Sequence, residues 1–214
     1  MEDNGKRKRT DKKLIRMQVI KAAAEAFSQK GIKNVRMDDI ASSLSISKRT
    51  LYELFADKEE LLVEVVRIHR EEVKEYMANV AMKADNVLEV IIGFYEMTIG
   101  EFKHTSRFFF EDIKKYPKVM EFLEENRKEN INSAMAFYQK GVEQGIFRED
   151  VNYRIVQEMI SGQMDGLLKA LPDCHLEEIF ETLVFIHMRG ISTEKGLKIV
   201  NDFLAQHKSE HKSN

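Results

Sequence analysis

Apolar residues recur along most of this 214-residue chain at intervals of three and four, the spacing that lines one side of an α-helix. Val19, Ala23 and Phe27, with Ile20 and Ala24 beside them, mark one face of a first helix of about 18 residues, which Gly31 can close as a left-handed cap. After Val35 come two very short patterns, Met37 to Leu44 and Ser47 to Phe55, joined only through Ser45 and Ile46. So tight a joint makes the two helices cross steeply. From Lys58 the period lengthens: Leu62, Val65, His69, Val73, Tyr76 and Val80 step by three or four, one long helix leading away from the small domain. Further helical patterns run over 86–103, 107–115, 118–144, 153–171, 176–190 and 194–207. Pro117 and Pro172 fall between patterns, where a helix can start but not continue.

Within the short patterns, Ile40, Ala41 and Leu44 give one helix an apolar face, Ile46 plugs the turn, and Leu51, Leu54 and Phe55 face back from the next. That is the core of a helix-turn-helix. Ser47 can cap the second helix, leaving Lys48, Arg49, Thr50 and Tyr52 on its outer side near the N-terminus, where a major groove would meet it. These residue types suit DNA contact, since hydroxyls donate to phosphates, Arg reaches guanine edges, and helix N-termini favour anions. Lys58, opening the long helix, adds a phosphate contact.

At these residues the chain resembles the TetR family of bacterial transcriptional regulators. The resemblance covers about residues 14–62: Val19, Ile20, Ala22, Ala23, Phe27 and Gly31, then Asp39-Ile40-Ala41, Ile46-Ser47, Thr50-Leu51-Tyr52, Phe55, Lys58-Glu59 and Leu61, in order and at family spacing. It implies that Lys48, Arg49, Thr50 and Tyr52 occupy recognition-helix positions, and Lys58 the backbone contact that follows. Two positions depart from the family pattern. Arg36 stands where a capping Thr is usual, so its phosphate contact would come from a guanidinium. Ser45 stands at the turn usually held by Gly, at a cost in strain if the left-handed conformation is kept. Residues 63–214 carry no family motif, as expected of a divergent ligand domain.

Charge sharpens this division. The whole chain is nearly neutral at −2, yet residues 1–58 hold 14 Lys and Arg against 8 Asp and Glu, a net +6, and the remainder 20 against 28, a net −8. A basic head on an acidic body suits a polyanion partner for the first alone, although solvated helix faces also drift by several charges. Lys6, Arg7, Lys8 and Arg9 form a basic arm that either reaches a minor groove or is a solvated tail.

The larger half concentrates aromatic residues, most of them ordinary core. Candidate ligand contacts are His69, Phe94, Tyr95, Phe109, Met135, Tyr138 and Gln163, polar or aromatic members of apolar faces. The segment around Ile179, Leu183 and Ile186 is apolar nearly all round, and its neighbour carries Met159 with Gly162 and Gly166 for close approach. Two such pairs, one per subunit, would bury each other, and the resemblance implies the same paired C-terminal helices. The alternative is that 194–207 covers this surface within one chain. Dimerisation would set two recognition helices about 34 Å apart on one DNA face. The long helix is then the lever between DNA and ligand.

Other function classes find little support. His207, Glu210 and His211 match an inverted zinc-protease spacing but lie in a polar terminal stretch. Cys174 beside His175 lacks a productive geometry, and no Gly-rich phosphate loop or Ser nucleophile elbow occurs. One cysteine excludes an internal disulfide framework. Two Pro and 10 Gly supply few turns for an all-β fold. No segment approaches about 18 continuous apolar residues, and Glu25 interrupts the only short apolar run after the basic arm, so a cytoplasmic location is expected.

The expected molecule is therefore all-α, with a basic flexible arm (1–12), a three-helix helix-turn-helix DNA-binding domain (13–58), a helical bundle for ligand binding and dimerisation (59–207) and a polar tail (208–214). Its expected function is that of a non-enzymatic, dimeric repressor released from a near-palindromic operator by a small apolar or amphipathic ligand. The partners are double-stranded DNA, a second copy and that ligand, with no cofactor, metal or membrane. The alternative is a helical interaction module, or an architectural DNA-binding protein, without a small-molecule effector.

Overall fold

A computed structural model describes the backbone of residues 2–211, and the side chains of these apart from 2–11, 128–130, 161, 162, 165 and 207–211. The described chain is all-α: α1 (Glu2–Lys30), α2 (Met37–Ser43), α3 (Lys48–Leu54), α4 (Lys58–Lys83), α5 (Val87–Phe102), α6 (Arg107–Ile113), α7 (Pro117–Glu143), α8 (Tyr153–Ala170), α9 (Leu176–Ile191) and α10 (Glu194–His211). Side-chain caps open several of them. Ser47, Asn86, Ser106 and Asn152 each accept hydrogen bonds from first-turn amides, which otherwise have no partner within the helix. Gly31 closes α1 at φ +78°, and Pro117 is the first residue of α7.

One expectation is corrected at the N-terminus. Residues 2–12 continue α1 rather than forming a loose arm, because Lys, Arg and Glu are good helix formers and no proline interrupts them. The side chains of Lys6, Arg7, Lys8 and Arg9, and so their proposed reach to DNA, lie outside the described residues, as do those of His207, Glu210 and His211.

The chain divides into two compact units, Met1–Lys74 with His104–Asn126, and Glu75–Lys103 with Arg127–Asn214. In the first, Val19, Ala23 and Phe27 of α1 meet Ile40 and Ala41 of α2, Leu51 of α3, Phe55, and Leu61, Leu62 and Val65 of α4 in one buried cluster. Phe109 and Ile113 of α6 and Val119, Phe122 and Leu123 of α7 join it. The compact unit thus extends past residue 58. Fewer than about 60 residues bury too little surface to be comfortably stable alone, so the helix-turn-helix borrows apolar cover from α4, α6 and α7.

The second unit has its own core. Val87 and Leu88 of α5, Tyr138 of α7, Ile146, Phe147, Met188 and Ile191 of α9, and Val200 and Leu204 of α10 are buried together. Gly141 lets Phe147 lie flat on α7: a Cβ there would fall 2.0 Å from the ring. Tyr95 is 1% exposed, with the rings of Phe180, Phe185 and Phe203 around it at 5.1 to 6.2 Å.

Candidate nucleic-acid interface

The 31–36 turn, α2, the tight joint and α3 position the predicted contact residues. Ser47 caps α3: its hydroxyl accepts the Thr50 amide at 3.0 Å and pairs with the Thr50 hydroxyl at 2.8 Å. Ser45 keeps the left-handed conformation at φ +53°, a strain of about 1 kcal/mol for a residue with a Cβ. It lets the Ile46 amide return to the Ala41 carbonyl at 3.0 Å, closing the joint between α2 and α3.

Lys48, Arg49 and Tyr52 project from α3 into solvent, with the side chains of Lys48 and Arg49 68% and 89% exposed. Both cations are paired within the domain, Lys48 Nζ with Asp38 Oδ2 at 2.5 Å and Arg49 Nε with Glu53 Oε1 at 2.8 Å. The hydrogen bond to Asp38 holds the Lys48 ammonium above its ordinary range, and that from Arg49 holds the Glu53 carboxyl below its own. Exposed pairs of this kind are weak because solvent screens them, so exchange for DNA phosphates costs little. Arg36 is exposed at the N-cap of α2, and its amide donates to Asp39 Oδ2 at 2.9 Å. A guanidinium cannot accept a hydrogen bond, so only the return half of a capping box is made, from the Arg36 amide to the Asp39 carboxylate.

Lys58 departs from its expected role. Its ammonium turns inward and donates to the carbonyls of Ile32 and Val35, both at 2.9 Å. Burial pushes its pKa down, against the pull of Asp112. Before any phosphate contact, it ties the start of α4 to the 31–36 turn. The sequence reading also missed Asp112 of α6, whose Oδ2 accepts the Lys33 amide at 2.8 Å. A bond across 79 residues leaves no periodic signal.

The predicted ligand residues fall in both units. His69 is exposed, and it and Phe109 belong to the first unit, Phe109 packed on the helix-turn-helix core; Phe94, Tyr95, Met135, Tyr138 and Gln163 belong to the second. Of these, Tyr95 and Tyr138 are buried and Phe94 is 39% exposed. Burial pushes the Tyr138 phenol up to about 12. An open cleft of about 550 Å³ in the second unit is lined by residues including Lys103, His175, Glu177, Glu178, Glu181 and Phe185.

The predicted dimer residues also divide. Ile179 is 5% exposed and so turned into its own unit, whereas Met159 and Ile186 are 53% and 67% exposed. Leu183 is half-buried, and Gly166 faces open space. Gly162 lies outside the described side chains. Among the described residues no group of three His, Cys, Asp or Glu side chains is placed to hold a metal ion, and no helix is long and apolar enough to cross a membrane.

The family model for bacterial regulatory proteins of the tetR family matches residues 19–65, which span α1 from its first buried residue into α4. The transcriptional repressor KstR2 of Mycolicibacterium smegmatis is 27% identical over 150 residues, 68% of this chain and 73% of that protein. The regulator YhgD of Bacillus subtilis is 33% identical over 78 residues, 36% of this chain and 37% of its own. The structure of the ketosteroid transcriptional regulator KstR2 of Mycobacterium tuberculosis aligns over 84% of this chain and 95% of its own, with TM-score 0.57 and 20% identity. A transcriptional regulator from Saccharomonospora viridis, in complex with choline, aligns over 85% of this chain and 100% of its own, with TM-score 0.69 and 19% identity. Capped α3, tight left-handed joint and shared all-α fold agree with these matches: residues 19–65 form a helix-turn-helix of the tetR family type, and the chain is similar to DNA-binding repressors of that family.

Proposed function

We propose that the protein is a dimeric repressor that grips a near-palindromic operator through Arg36, Lys48, Arg49, Thr50 and Tyr52 and is released by a small apolar or amphipathic ligand. The observation that carries this reading is the outward presentation of Lys48, Arg49 and Tyr52 at a helix whose N-terminus Ser47 caps. The N-terminal end of such a helix enters a major groove, and its dipole favours phosphate. The exposed Met159 and Ile186 on α8 and α9 support dimerisation, which a palindrome requires. The ligand's chemistry stays broad: one structural relative is described as a ketosteroid regulator and another was solved with choline, different molecules on one fold.

Selection of duplexes from a random 40-base-pair pool tests it. Recovered sequences should be near-palindromic with half-sites about one helical turn apart. Arg49→Ala should narrow the gap between selected and random duplex by about 10-fold, as loss of a base contact does. Failure of the wild-type protein to enrich any sequence at moderate salt defeats the reading. Equal losses on both duplexes would make Arg49 a phosphate contact. Fatty acyl, steroid and quaternary ammonium compounds, screened by thermal shift, should include one that raises the melting temperature and weakens the selected complex.

A further inference from the structure

We infer that Asp112 is a positioning residue for DNA recognition: through the Lys33 amide, its carboxylate fixes the 31–36 turn on which Arg36 and α2 are mounted. The inference rests on the DNA-binding reading and goes beyond it, because Asp112 lies on α6, outside the helix-turn-helix motif.

The 31–36 turn has little regular hydrogen bonding of its own. The Gly31 amide closes α1 on the Phe27 carbonyl at 3.0 Å, and the Val35 amide reaches the Ile32 carbonyl at a long 3.4 Å. Three further polar groups of the turn are met by side chains from two later helices. Lys58 of α4 takes the Ile32 and Val35 carbonyls, and Asp112 of α6 takes the Lys33 amide. Asp112 is 5% exposed. Burial pushes its carboxyl up, but the Lys115 ammonium at 2.8 Å and the Lys33 amide more than offset this, leaving it below the ordinary carboxylate range. A buried carboxylate is costly unless its bonds are made, so it holds the turn in the one geometry that makes them.

The packing around this bond is close. The Ser106 amide, at the N-cap of α6, donates to the Ser28 carbonyl of α1 at 2.6 Å. A Cβ at Gly31 would lie 2.8 Å from the Phe108 Cβ and 3.3 Å from Asp112 Oδ2, so turn and α6 meet backbone to side-chain base. Three residues after Lys33 comes Arg36, the N-cap of α2, and α2 packs on α3. A turn that shifts therefore shifts Arg36 and α2 against the recognition helix. Contacts misplaced by a fraction of an ångström lose base reading before they lose phosphate attraction, which tolerates small displacements.

The test compares Asp112→Ala, Asp112→Leu and Asp112→Asn on two probes: a duplex enriched from the random pool by the wild-type protein, and a scrambled duplex of equal length. Leu fills the volume without an acceptor, so a cavity left by Ala does not decide the result. Asn keeps an oxygen for the Lys33 amide, and Lys115, 62% exposed, can swing away from its NH₂ group. We expect Ala and Leu to weaken the selected complex at least 10-fold while scrambled-duplex affinity changes by less than 2-fold. Asn should stay within 3-fold of wild type on both. The Lys33 amide should exchange with solvent at least 10-fold faster in Ala and Leu, but not in Asn. Unchanged selected-duplex affinity in the Leu variant, equal losses on both probes, or an Asn variant as impaired as Leu would each overturn the inference. A wild-type protein that enriches no duplex would instead remove the DNA-binding reading, and the inference with it.

Discussion

Lys58 carries a charge that the sequence assigns to DNA and the fold assigns to itself. An ammonium has three N–H donors, and two are spent on the Ile32 and Val35 carbonyls. Lys58→Met keeps the aliphatic stem and leaves those carbonyls unanswered, so urea unfolding should show a loss of about 1–3 kcal/mol. The salt dependence of DNA binding should move by less than about 0.3 in slope, against about 1 for a lost phosphate contact. A full unit of slope with unchanged stability would restore the phosphate role. The same residue type at the start of a helix serves both roles; only the carbonyls that reach it, 26 and 23 residues earlier, tell them apart.

His187 makes a second prediction at this scale. Burial pushes its imidazole down to about 4 from 6.5, with the Tyr138 ring 6.2 Å away. Between those values the unfolded chain binds more protons than the folded one, so stability rises with pH through this window and is lost on acidification below about 6.5. By pH 5 the loss from this group alone amounts to about 2 kcal/mol. Acidic carboxylates titrate nearby, so the comparison is with His187→Gln. Urea unfolding at pH 7 and pH 5 should show a smaller drop in the variant, and identical drops would mean that His187 is solvated when the protein folds.

At the scale of elements, hydrophobic spacing located the helices well because most carry an apolar face and most are separated by Gly, Pro or a capping Ser or Asn. The first short patterns became α2 and α3, and the 176–190 pattern became α9, each shifted by one or two residues at an end. Ser45 stands at the turn position that the family pattern usually gives to Gly, and the backbone keeps the left-handed conformation there at φ +53°. Spacing says which face of a helix is apolar but not which helix covers it. His69 sat on the apolar spacing of α4 yet is exposed, and Phe109 packs on the helix-turn-helix core. Ile179 is buried, since on a helix apolar nearly all round only packing decides which side chains remain outside. The outward placement of Lys48, Arg49 and Tyr52 was legible because they are local in sequence, lie within one short helix and need no partner to face outward.

At the scale of the whole molecule, the net charge of −2 is the average of a +6 head and a −8 body. A segment of net +6 favours contact with a polyanion, and the −8 remainder does not. Two heads must act together for a near-palindrome to be read, and the exposed apolar side chains of α8 and α9 are where that joining is proposed. Ile155, Met159 and Ile160 on α8 and Ile186 on α9 are 41% to 67% exposed, a cluster that a monomer would leave in water. Ile186→Glu places a charge where the partner helix would lie. Because the side chain is 67% exposed in one chain, protomer stability should change by no more than about 0.5 kcal/mol. The assembly should respond: at micromolar concentration, sedimentation should fall from about twice the 25.0 kDa chain mass to that mass itself. Affinity for the selected duplex should drop at least 10-fold while that for an isolated half-site stays constant, since each head remains intact and only their joint action is lost. A variant that stays dimeric and binds normally would move the interface off α8 and α9, and a wild-type protein that sediments as one chain would leave these residues to a different partner.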